Sequence, residues 1–421
     1  MQKLDDKLFR MVKTLQGEPL CTQIIVFVKE FEKTLSALKE KNYRIKAAFP
    51  FINAICIEIS LDDLVGLTRL NNVIYVAAQT NVSAQSAIAK SITNVNAFYK
   101  ENIFGRGVTV AVIDTGIRPH LDFLYPKSRI VKFVDLINKE GRNKPTVANK
   151  VVLSRVSCAG TPLKRRAIPV RGQNTTDVLA PYDDNGHGTF VAGLVGGNGT
   201  MSGHKYSGFA PLCNIIAIKA LDKTGQSTSV EMLEAMQWVY DNKEKYNIGV
   251  VCMSFGAIPT SKSDPLMKGA EQLWDSGVVV VAAGGNSGPD KQTIKSPGAS
   301  RKIITVGSLD DARDEHENFY KDKFKIADFS SRGPAFEFYK PDLVVSGVNL
   351  VSCGLTSDYS QMSGTSVSAP IVAGICALIL EKYKQQITPN QIKNMLRNYC
   401  IPIAKDRNAE GFGYLDFLKN G

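Results

Sequence analysis

Residues 107–116 read GVTVAVIDTG, a continuous apolar run that ends at Asp114. Three later segments share this character: residues 214–221 (NIIAIKAL), 249–254 (GVVCMS) and 278–285 (VVVVAAGG). Short continuous apolar runs are typical of strands that are buried on both faces, as in parallel sheets. Together the four runs predict an α/β domain with a mostly parallel central sheet flanked by helices.

Helical patterns accompany these runs. Residues 228–246 lie between the second and third runs, where parallel strands require a crossover helix, and Leu233, Met236 and Tyr240 are predicted to share its packed face. A late helix is predicted to begin after Thr388, because the sequence TPNQ has the spacing of a capping box.

The N-terminal part of the chain follows a different pattern, in which the predicted order is strand, helix, strand, strand, helix, strand. This order is typical of small α+β ferredoxin-like domains. It gives way to the polar stretch NVSAQSAIAKSITN at residues 81–94. We therefore predict two domains, a small one over residues 1–90 and a larger α/β domain over residues 91–421.

The composition is that of an ordinary globular protein, with 44% hydrophobic and 22% charged residues among 421. The formal net charge is +11, but the basic residues are spread along the chain, which argues against a nucleic-acid-binding face. No apolar stretch approaches the roughly 20 residues of a membrane span, and residues 1–20 lack the apolar core of a secretory signal. The eight cysteines form no CxxC motif, so neither a disulfide framework nor a zinc site is expected. We predict a cytoplasmic protein with no nucleic-acid or membrane partner.

Four reactive side chains lie at the edges of predicted buried elements, and each has a simpler structural alternative. Asp114 ends the first run, where α/β active sites form, or it caps a turn. His187 lies between two glycines that leave space around its imidazole, although a lone histidine is often structural. Ser366 lies at the start of a predicted apolar helix, where it is either a nucleophile near the helix N-terminus or a plain N-cap residue. Asn286 follows the fourth apolar run, where its side-chain amide either donates a hydrogen bond to an oxyanion or simply helps to form a turn.

Taken together, these four residues form the set that acyl transfer requires. Asp114 orients His187, His187 removes the proton from Ser366, Ser366 attacks a carbonyl carbon, and Asn286 donates to the oxyanion. The chain order Asp, His, Ser is that of subtilisin and differs from the orders in chymotrypsin and the α/β-hydrolases.

The motifs around these residues resemble those of the subtilisin-like (subtilase) serine proteases. They are AVIDTG, NGHGTFVAG, AAGGNSGP and GTSVSAP, and four motifs in this order are far more specific than any one of them. The long segment between the first two motifs and the lack of a signal peptide are most similar to the intracellular AprX-type branch. The resemblance implies a subtilisin-like fold and a serine endopeptidase that needs no cofactor for its chemistry.

The resemblance also implies a role for the N-terminal domain. It is similar to subtilase propeptides, which assist folding and then occlude the substrate cleft with their last strand. Self-cleavage is then expected within residues 81–90. The alternative is a permanently attached accessory domain.

By position, two stretches match the walls of the S1 pocket, which holds the side chain before the scissile bond. These walls are Ser254, Phe255 and Gly256 on one side and Ala283, Gly284 and Gly285 on the other. Lys295 matches the base of the pocket, where the family usually has a small residue. An ammonium there favours acidic side chains, whereas a lysine turned toward solvent would not.

The chain departs from the family pattern at three other positions. Phe190 replaces a usual histidine, Val367 a common methionine and Ser346 a common proline, and none of these changes removes a catalytic group. Structural calcium is common in the family, and Asp122 lies near a position that joins such a site, although the sequence has no EF-hand loop.

We therefore predict a serine endopeptidase that forms an acyl-enzyme on Ser366, with protein or peptide substrates and its own propeptide as partners. The rival from another class is a catalytically silent pseudoprotease that acts as a regulatory binding protein. Loss of a triad residue would be its simplest sign, and all three residues are present.

Overall fold

The structure is a computed structural model that describes residues 3–4, 8, 21–50, 53–78, 86–138, 150–152, 167–169, 180–313, 318–355 and 358–419. The chain divides into two compact units, Met1–Ser83 and Ala84–Gly421. Residues 79–85 and most of residues 139–179 lie outside the described ranges, and with them much of the predicted cleavage region and of the long segment between the first two triad residues.

The first unit is a four-stranded antiparallel sheet with two helices, in the predicted order. Its elements are β1 Cys21–Val28, α1 Phe31–Glu40, β2 Arg44–Phe49, β3 Ala54–Ser60, α2 Leu61–Thr68 and β4 Val73–Ala78. The strand order is β2-β3-β1-β4. Alternate residues of β1 (Ile24, Val26 and Val28) are buried against apolar helix residues that include Leu38 and Leu64, which gives this unit a core of its own.

The second unit contains the remaining elements. They are α3 Ser86–Thr93, α4 Asn96–Lys100, β5 Thr109–Asp114, α5 Leu121–Leu124, β6 Ile130–Asp135, β7 Lys150–Val152, β8 Ala167–Pro169, α6 His187–Gly196, β9 Asn214–Lys219, α7 Ser229–Tyr246, β10 Ile248–Met253, α8 Pro265–Asp275, β11 Val279–Ala283, β12 Ile304–Asp310, β13 Lys325–Ile326, β14 Leu343–Ser346, β15 Leu350–Cys353, β16 Tyr359–Met362, α9 Thr365–Lys382, α10 Pro389–Asn398, β17 Cys400–Ile401, α11 Arg407–Glu410 and β18 Tyr414–Leu415.

A mostly parallel sheet forms the centre of this unit, in the order β17-β18-β14-β12-β11-β10-β5-β9-β6, with β13 beside β12. The four apolar runs of the sequence are β5, β9, β10 and β11, and they are neighbours in the order β9-β5-β10-β11. Every residue of β5 and β11 is buried, because helices cover the sheet. The helix pairs α6 with α9 and α7 with α8 pack on these central strands.

Helix α9 occupies the core of the unit. It is long and apolar enough to meet the composition criteria for a membrane span, but 83% of it is buried inside the protein. Its apolar residues are therefore explained by packing against α6 and the central strands.

Two predictions about helices have different outcomes. The capping box is confirmed, since the Thr388 hydroxyl accepts from the Gln391 N–H and the Gln391 side chain accepts from the Thr388 N–H. The predicted face of α7 is partly wrong, because Met236 is buried but Tyr240 is 39% exposed. The buried stripe is Met232, Ala235, Met236 and Val239, the i, i+3, i+4, i+7 set, and Tyr240 lies one residue beyond it.

Candidate active site

Three neighbouring strands bring the candidate residues to one edge of the sheet. In β10, Met253 pairs with Ile113 of β5 on one side and with Ala282 of β11 on the other. One position further along the chain are Asp114 in β5, Ser254 just after β10 and Ala283 in β11. These three residues therefore lie in one row across the sheet, where adjacent strands are about 4.8 Å apart. The row lies at the carboxyl ends of the parallel strands, which is the edge where α/β sheets form their ligand-binding and active sites.

Asp114 and His187 are in direct contact. The His187 Nδ1 atom lies 2.8 Å from Asp114 Oδ1 and 3.0 Å from Oδ2. Asp114 is fully buried, and its Oδ1 also accepts a hydrogen bond from the Thr115 N–H. The His187 side chain is 25% exposed, so the imidazole is held by a buried carboxylate at one nitrogen while part of the ring remains accessible.

The charge of Asp114 determines the basicity of this imidazole. Burial by itself lowers the pKa of His187, but attraction to the carboxylate of Asp114, with a smaller contribution from Asp183, outweighs it. The net effect raises the pKa of His187 above its ordinary value of 6.5. A raised pKa makes the imidazole a better proton acceptor and stabilises the imidazolium formed during catalysis.

Asp183 is a positioning residue that sequence reasoning missed. Its buried carboxylate accepts from the Thr115 hydroxyl at 3.0 Å and from the Gly186 N–H at 2.9 Å. Its second oxygen accepts from the N–H and the hydroxyl of Thr189. Burial opposes ionisation, but these hydrogen bonds lower the pKa of Asp183 below its usual value. The carboxylate thus joins the residue after Asp114 to the first turn of α6, which begins at His187.

The backbone around Ser366 makes the start of α9 an anion-binding position. Gly364 is the N-cap residue, with φ of 151°, so the alternative that Ser366 is the N-cap is wrong. The Thr365 N–H donates to Asn286, and the N–H groups of Val367 and Ser368 donate to the Gly364 carbonyl. Among the described residues, the Ser366 N–H has no hydrogen-bond partner, which leaves it available at the positive end of the helix dipole.

Asn286 lies beside Ser366. A Cβ atom added to Gly364 would be 3.0 Å from Asn286 Nδ2 and 3.1 Å from Ser366 Oγ, so the amide and the hydroxyl flank the same glycine. The Asn286 Oδ1 atom accepts from both the N–H and the hydroxyl of Thr365, each at 2.9 Å. These two bonds fix the amide with its Nδ2 donor toward the site, and they assign to Thr365 a positioning role that the sequence did not reveal.

In the part of the chain that the structure describes, Ser366 and His187 are not joined by a hydrogen bond. Within the described part of the chain, Ser366 Oγ makes no hydrogen bond, either to His187 or to another group. Catalytic hydrogen bonds are often long in substrate-free enzymes and shorten when substrate binds. The structure therefore joins Asp114 to His187 and places Asn286 beside Ser366.

The two predicted walls of the S1 pocket follow β10 and β11. Ser254 and Ala283 are buried at the strand ends, and Phe255 is half-buried. Gly256 is exposed, and its N–H and C=O groups have no partner among the described residues. Such an unpaired main-chain edge is suited to pairing with an extended peptide. On the other wall, the Gly284 N–H donates to the Val306 carbonyl, which holds the wall to β12.

Lys295 lies between the two walls. A Cβ atom added to Gly256 would be 2.6 Å from Lys295 Cβ, and one added to Gly285 would be 2.5 Å from Lys295 Cγ. The stem of the lysine therefore fills the space that the two glycines leave open. The Lys295 N–H also donates to the Gly284 carbonyl at 2.9 Å.

The surroundings of Asp122 do not fit calcium. Its side chain is grouped with His120 and Cys353, all three buried, and its oxygens accept from the Met201 N–H at 3.0 Å and the Tyr359 hydroxyl at 2.8 Å. Burial raises the pKa of the Cys353 thiol well above its usual value, so the sulfur is protonated. Calcium prefers six to eight oxygen ligands, whereas this group offers an imidazole, a thiol and a carboxylate that is already hydrogen-bonded. We therefore interpret it as a structural hydrogen-bond cluster.

The chain is similar to known serine proteases over most of its length. The chain matches the Subtilase family (peptidase S8) over residues 105–414. Serine protease AprX of Bacillus subtilis (strain 168) is 34% identical over 386 residues, which cover 86% of this chain and 77% of that protein. The thermostable alkaline protease of Halalkalibacterium halodurans is 27% identical over 375 residues, which cover 88% of this chain and 84% of that protein.

Solved structures give the same fold. Sphericase superposes with a TM-score of 0.59 at 22% identity, covering 80% of this chain and 100% of that chain. The S41 psychrophilic protease superposes with a TM-score of 0.59 at 23% identity and the same coverage. The subtilisin-like α/β fold predicted from the sequence is thus confirmed.

Proposed function

The chain belongs to the subtilase family and is a serine endopeptidase, and from this premise we propose that Ser366 is its nucleophile, His187 its general base and Asp114 the residue that orients the base. The observation that carries the proposal is the contact between Asp114 and His187 at the carboxyl edge of the sheet, where the Gly285 N–H, just beyond β11, donates to the hydroxyl of Thr365 beside Ser366. A base and, at Ser366, an N–H group without a partner among the described residues are thus associated with one edge of the sheet.

The chemistry proceeds in two halves. Ser366 Oγ attacks the peptide carbonyl carbon while its proton passes to His187 Nε2, and the oxyanion accepts hydrogen bonds from Asn286 Nδ2 and the Ser366 N–H. His187 then gives the proton to the departing amine, leaving an ester on Ser366. Water loses a proton to His187 and attacks the ester, which releases the acid product and restores the hydroxyl.

Asp114 contributes by holding His187 rather than by transferring a proton. Because Nδ1 carries the proton that bonds to the carboxylate, Nε2 is left as the acceptor that faces the nucleophile. The same carboxylate stabilises the positive charge that develops on the ring in each half of the reaction.

The pseudoprotease alternative has one observation in its favour, which is that Ser366 Oγ lacks a hydrogen bond to His187 among the described residues. A silent protein with this fold would keep the peptide-pairing edge at Gly256 but would not turn over substrate. Measurement of hydrolysis separates the two functions.

We further propose that residues 1–90 are a propeptide. Support comes from the separate compact unit of residues 1–83, which has its own apolar core. Of the predicted cleavage region, the part from Ser86 onward lies in helix α3 and the rest lies outside the described residues. Cleavage there, occlusion of the cleft by the released segment, a cytoplasmic location and the absence of nucleic-acid and membrane partners stay predictions.

The experiment follows hydrolysis of a fluorescently labelled, unfolded protein by the purified full chain, with intact mass measured over time. We expect fluorescence to rise and the N-terminal segment to be lost, and Ser366→Ala to do neither. Val367→Met is the matched control, because it changes the neighbouring residue to the one common in the family and should retain activity. Equal hydrolysis by the wild type and Ser366→Ala would refute the assignment of the nucleophile, and no hydrolysis by a processed wild type would favour the pseudoprotease.

A further inference from the structure

The position of Lys295 carries an inference about which peptides the enzyme cleaves. The segment that bears it is tied to both walls of the proposed S1 pocket. The Ser296 N–H donates to the Ala257 carbonyl at 2.8 Å and the Ala257 N–H donates back at 3.0 Å, while the Lys295 N–H donates to Gly284 on the other wall. These hydrogen bonds fix the main chain of Lys295 at the base of the proposed S1 pocket.

The two glycines on either side explain how a long side chain is accommodated. Gly256 and Gly285 are the wall residues whose missing Cβ atoms would overlap the Lys295 stem. The Cβ and Cγ atoms of Lys295 thus lie against the main chain of both glycines, and the residue is half-buried. Only the outer part of the side chain can change direction.

The ammonium of Lys295 has no counter-charge in the part of the chain that the structure describes. Within the described residues, its Nζ atom has no hydrogen bond and no carboxylate within 4.0 Å. Asp264, a neighbouring buried acid, is already engaged, because its carboxylate accepts from the Ser296 hydroxyl at 2.6 Å and from the Leu266 N–H at 3.0 Å. A half-buried cation without a partner favours the approach of an anion.

We infer that Lys295 makes the enzyme selective for peptides with Glu or Asp at P1, the residue whose carbonyl is attacked. This inference rests on the proposed function, since it concerns the same cleft. An acidic P1 side chain that reaches the ammonium of Lys295 forms a charge-assisted contact, whereas a lysine or arginine meets a like charge.

The inferred selectivity bears on how the N-terminal segment is removed. Residues 75–100, here called the linker, contain neither Asp nor Glu, so no peptide bond in this stretch follows the preferred P1 residue. Cleavage of the linker therefore relies on the high local concentration of an attached segment rather than on the S1 contact.

The test uses peptides that are identical except at P1, with Glu, Gln, Leu or Lys there, and measures kcat/KM after removal of the N-terminal segment. For the wild type we expect Glu to exceed the isosteric Gln by about 10- to 100-fold, and the ratio to shrink as salt is added. Lys295→Met keeps an unbranched side chain only one atom shorter and removes the charge, so the Glu-to-Gln ratio should fall to about 1 while the Leu peptide is cleaved at least as fast. Lys291→Met, at an exposed position in the preceding loop, is the matched control and should keep the wild-type ratio.

The outcomes distinguish the two proposals. If the wild type cleaves the Leu and Gln peptides readily but the Glu peptide no better, or if Lys295→Met leaves the ratio unchanged, the inference about Lys295 is wrong and the proposed function stands. If the wild type cleaves none of the peptides and no unfolded protein, the proposed function fails and the inference fails with it.

Discussion

The two halves of the site are positioned by different kinds of interaction. Asp114 and His187 are joined by a charged contact between side chains, and a second buried carboxylate, Asp183, anchors the surrounding backbone. Ser366 and Asn286 are positioned instead by main-chain conformation at Gly364 and by neutral hydrogen bonds from Thr365.

This difference indicates what each half tolerates. The acid–base half depends on charge, so an isosteric neutral residue should be damaging there even though its shape fits. The half that contains Ser366 and Asn286 depends on geometry and on neutral hydrogen-bond donors. Removing one donor should therefore lower kcat by less than removing the charge of Asp114. Four experiments test or refine this contrast.

The largest effect is expected for Asp114→Asn. The amide fits the same space but favours the wrong tautomer of His187 and removes the charge that stabilises the imidazolium, so kcat should fall by about 10⁴-fold. The measurement is kcat on a peptide substrate, with thermal unfolding to show that the variant is folded. A loss of only tenfold would mean that the charge of Asp114 is not central to the site.

A smaller loss is expected for Asn286→Ala. Removing one oxyanion donor should lower kcat by about 10²- to 10³-fold with little change in KM, because the donor acts mainly in the transition state. Ser287→Ala, the next residue along, serves as the control. A pure KM effect would argue that Asn286 binds substrate rather than the oxyanion.

A still smaller loss is expected for Thr365→Val. This change keeps the branched shape but removes the hydroxyl that donates to Asn286 Oδ1, and kcat should fall by about tenfold. Combined with Asn286→Ala it should lower kcat little further, because the hydroxyl affects the oxyanion through that amide. The Thr365 hydroxyl also accepts from the Gly285 N–H in the proposed pocket wall, and losing that bond should appear in KM. Additive losses in the double variant would show that Thr365 has an independent role.

The mildest test is the pH dependence of kcat/KM. Because the pKa of His187 is raised, its protonated form persists to higher pH, and the neutral base appears only above a pKa that exceeds 6.5. Activity should therefore rise with pH through a midpoint above 6.5. In Asp114→Asn the attraction is lost and burial remains, so the ring pKa, followed by NMR, should fall. A midpoint below 6.5 in the wild type would contradict the raised pKa.

The parts of the molecule that depend on local pattern are predictable from the sequence. The four apolar strands, the helix start at Thr388 and the proximity of Asp114 to His187 follow from continuous apolar runs, from capping spacing and from motif order. The predicted face of α7 is wrong at Tyr240, which differs from the buried stripe by a single position, or about 100° of helix rotation.

The positioning residues were less accessible to sequence reasoning. Asp183 and Thr365 act through hydrogen bonds to residues distant in sequence, and neither residue differs in its local pattern from an ordinary loop acid or helix-start hydroxyl. The one available signal is their position, since Asp183 lies four residues before His187 and Thr365 lies directly before Ser366. The course of the Lys295 stem likewise depends on two glycines from separate strands.

The most direct test of the account is intact-mass analysis of the purified protein before and after treatment with a fluorophosphonate probe, beside Ser366→Ala. We predict a single probe adduct on the wild type, mapped to Ser366, and none on the variant, because only a serine activated by His187 attacks the phosphorus. An unlabelled wild type after loss of the N-terminal segment, or equal labelling of Ser366→Ala, would contradict the claim that these residues form a working catalytic site.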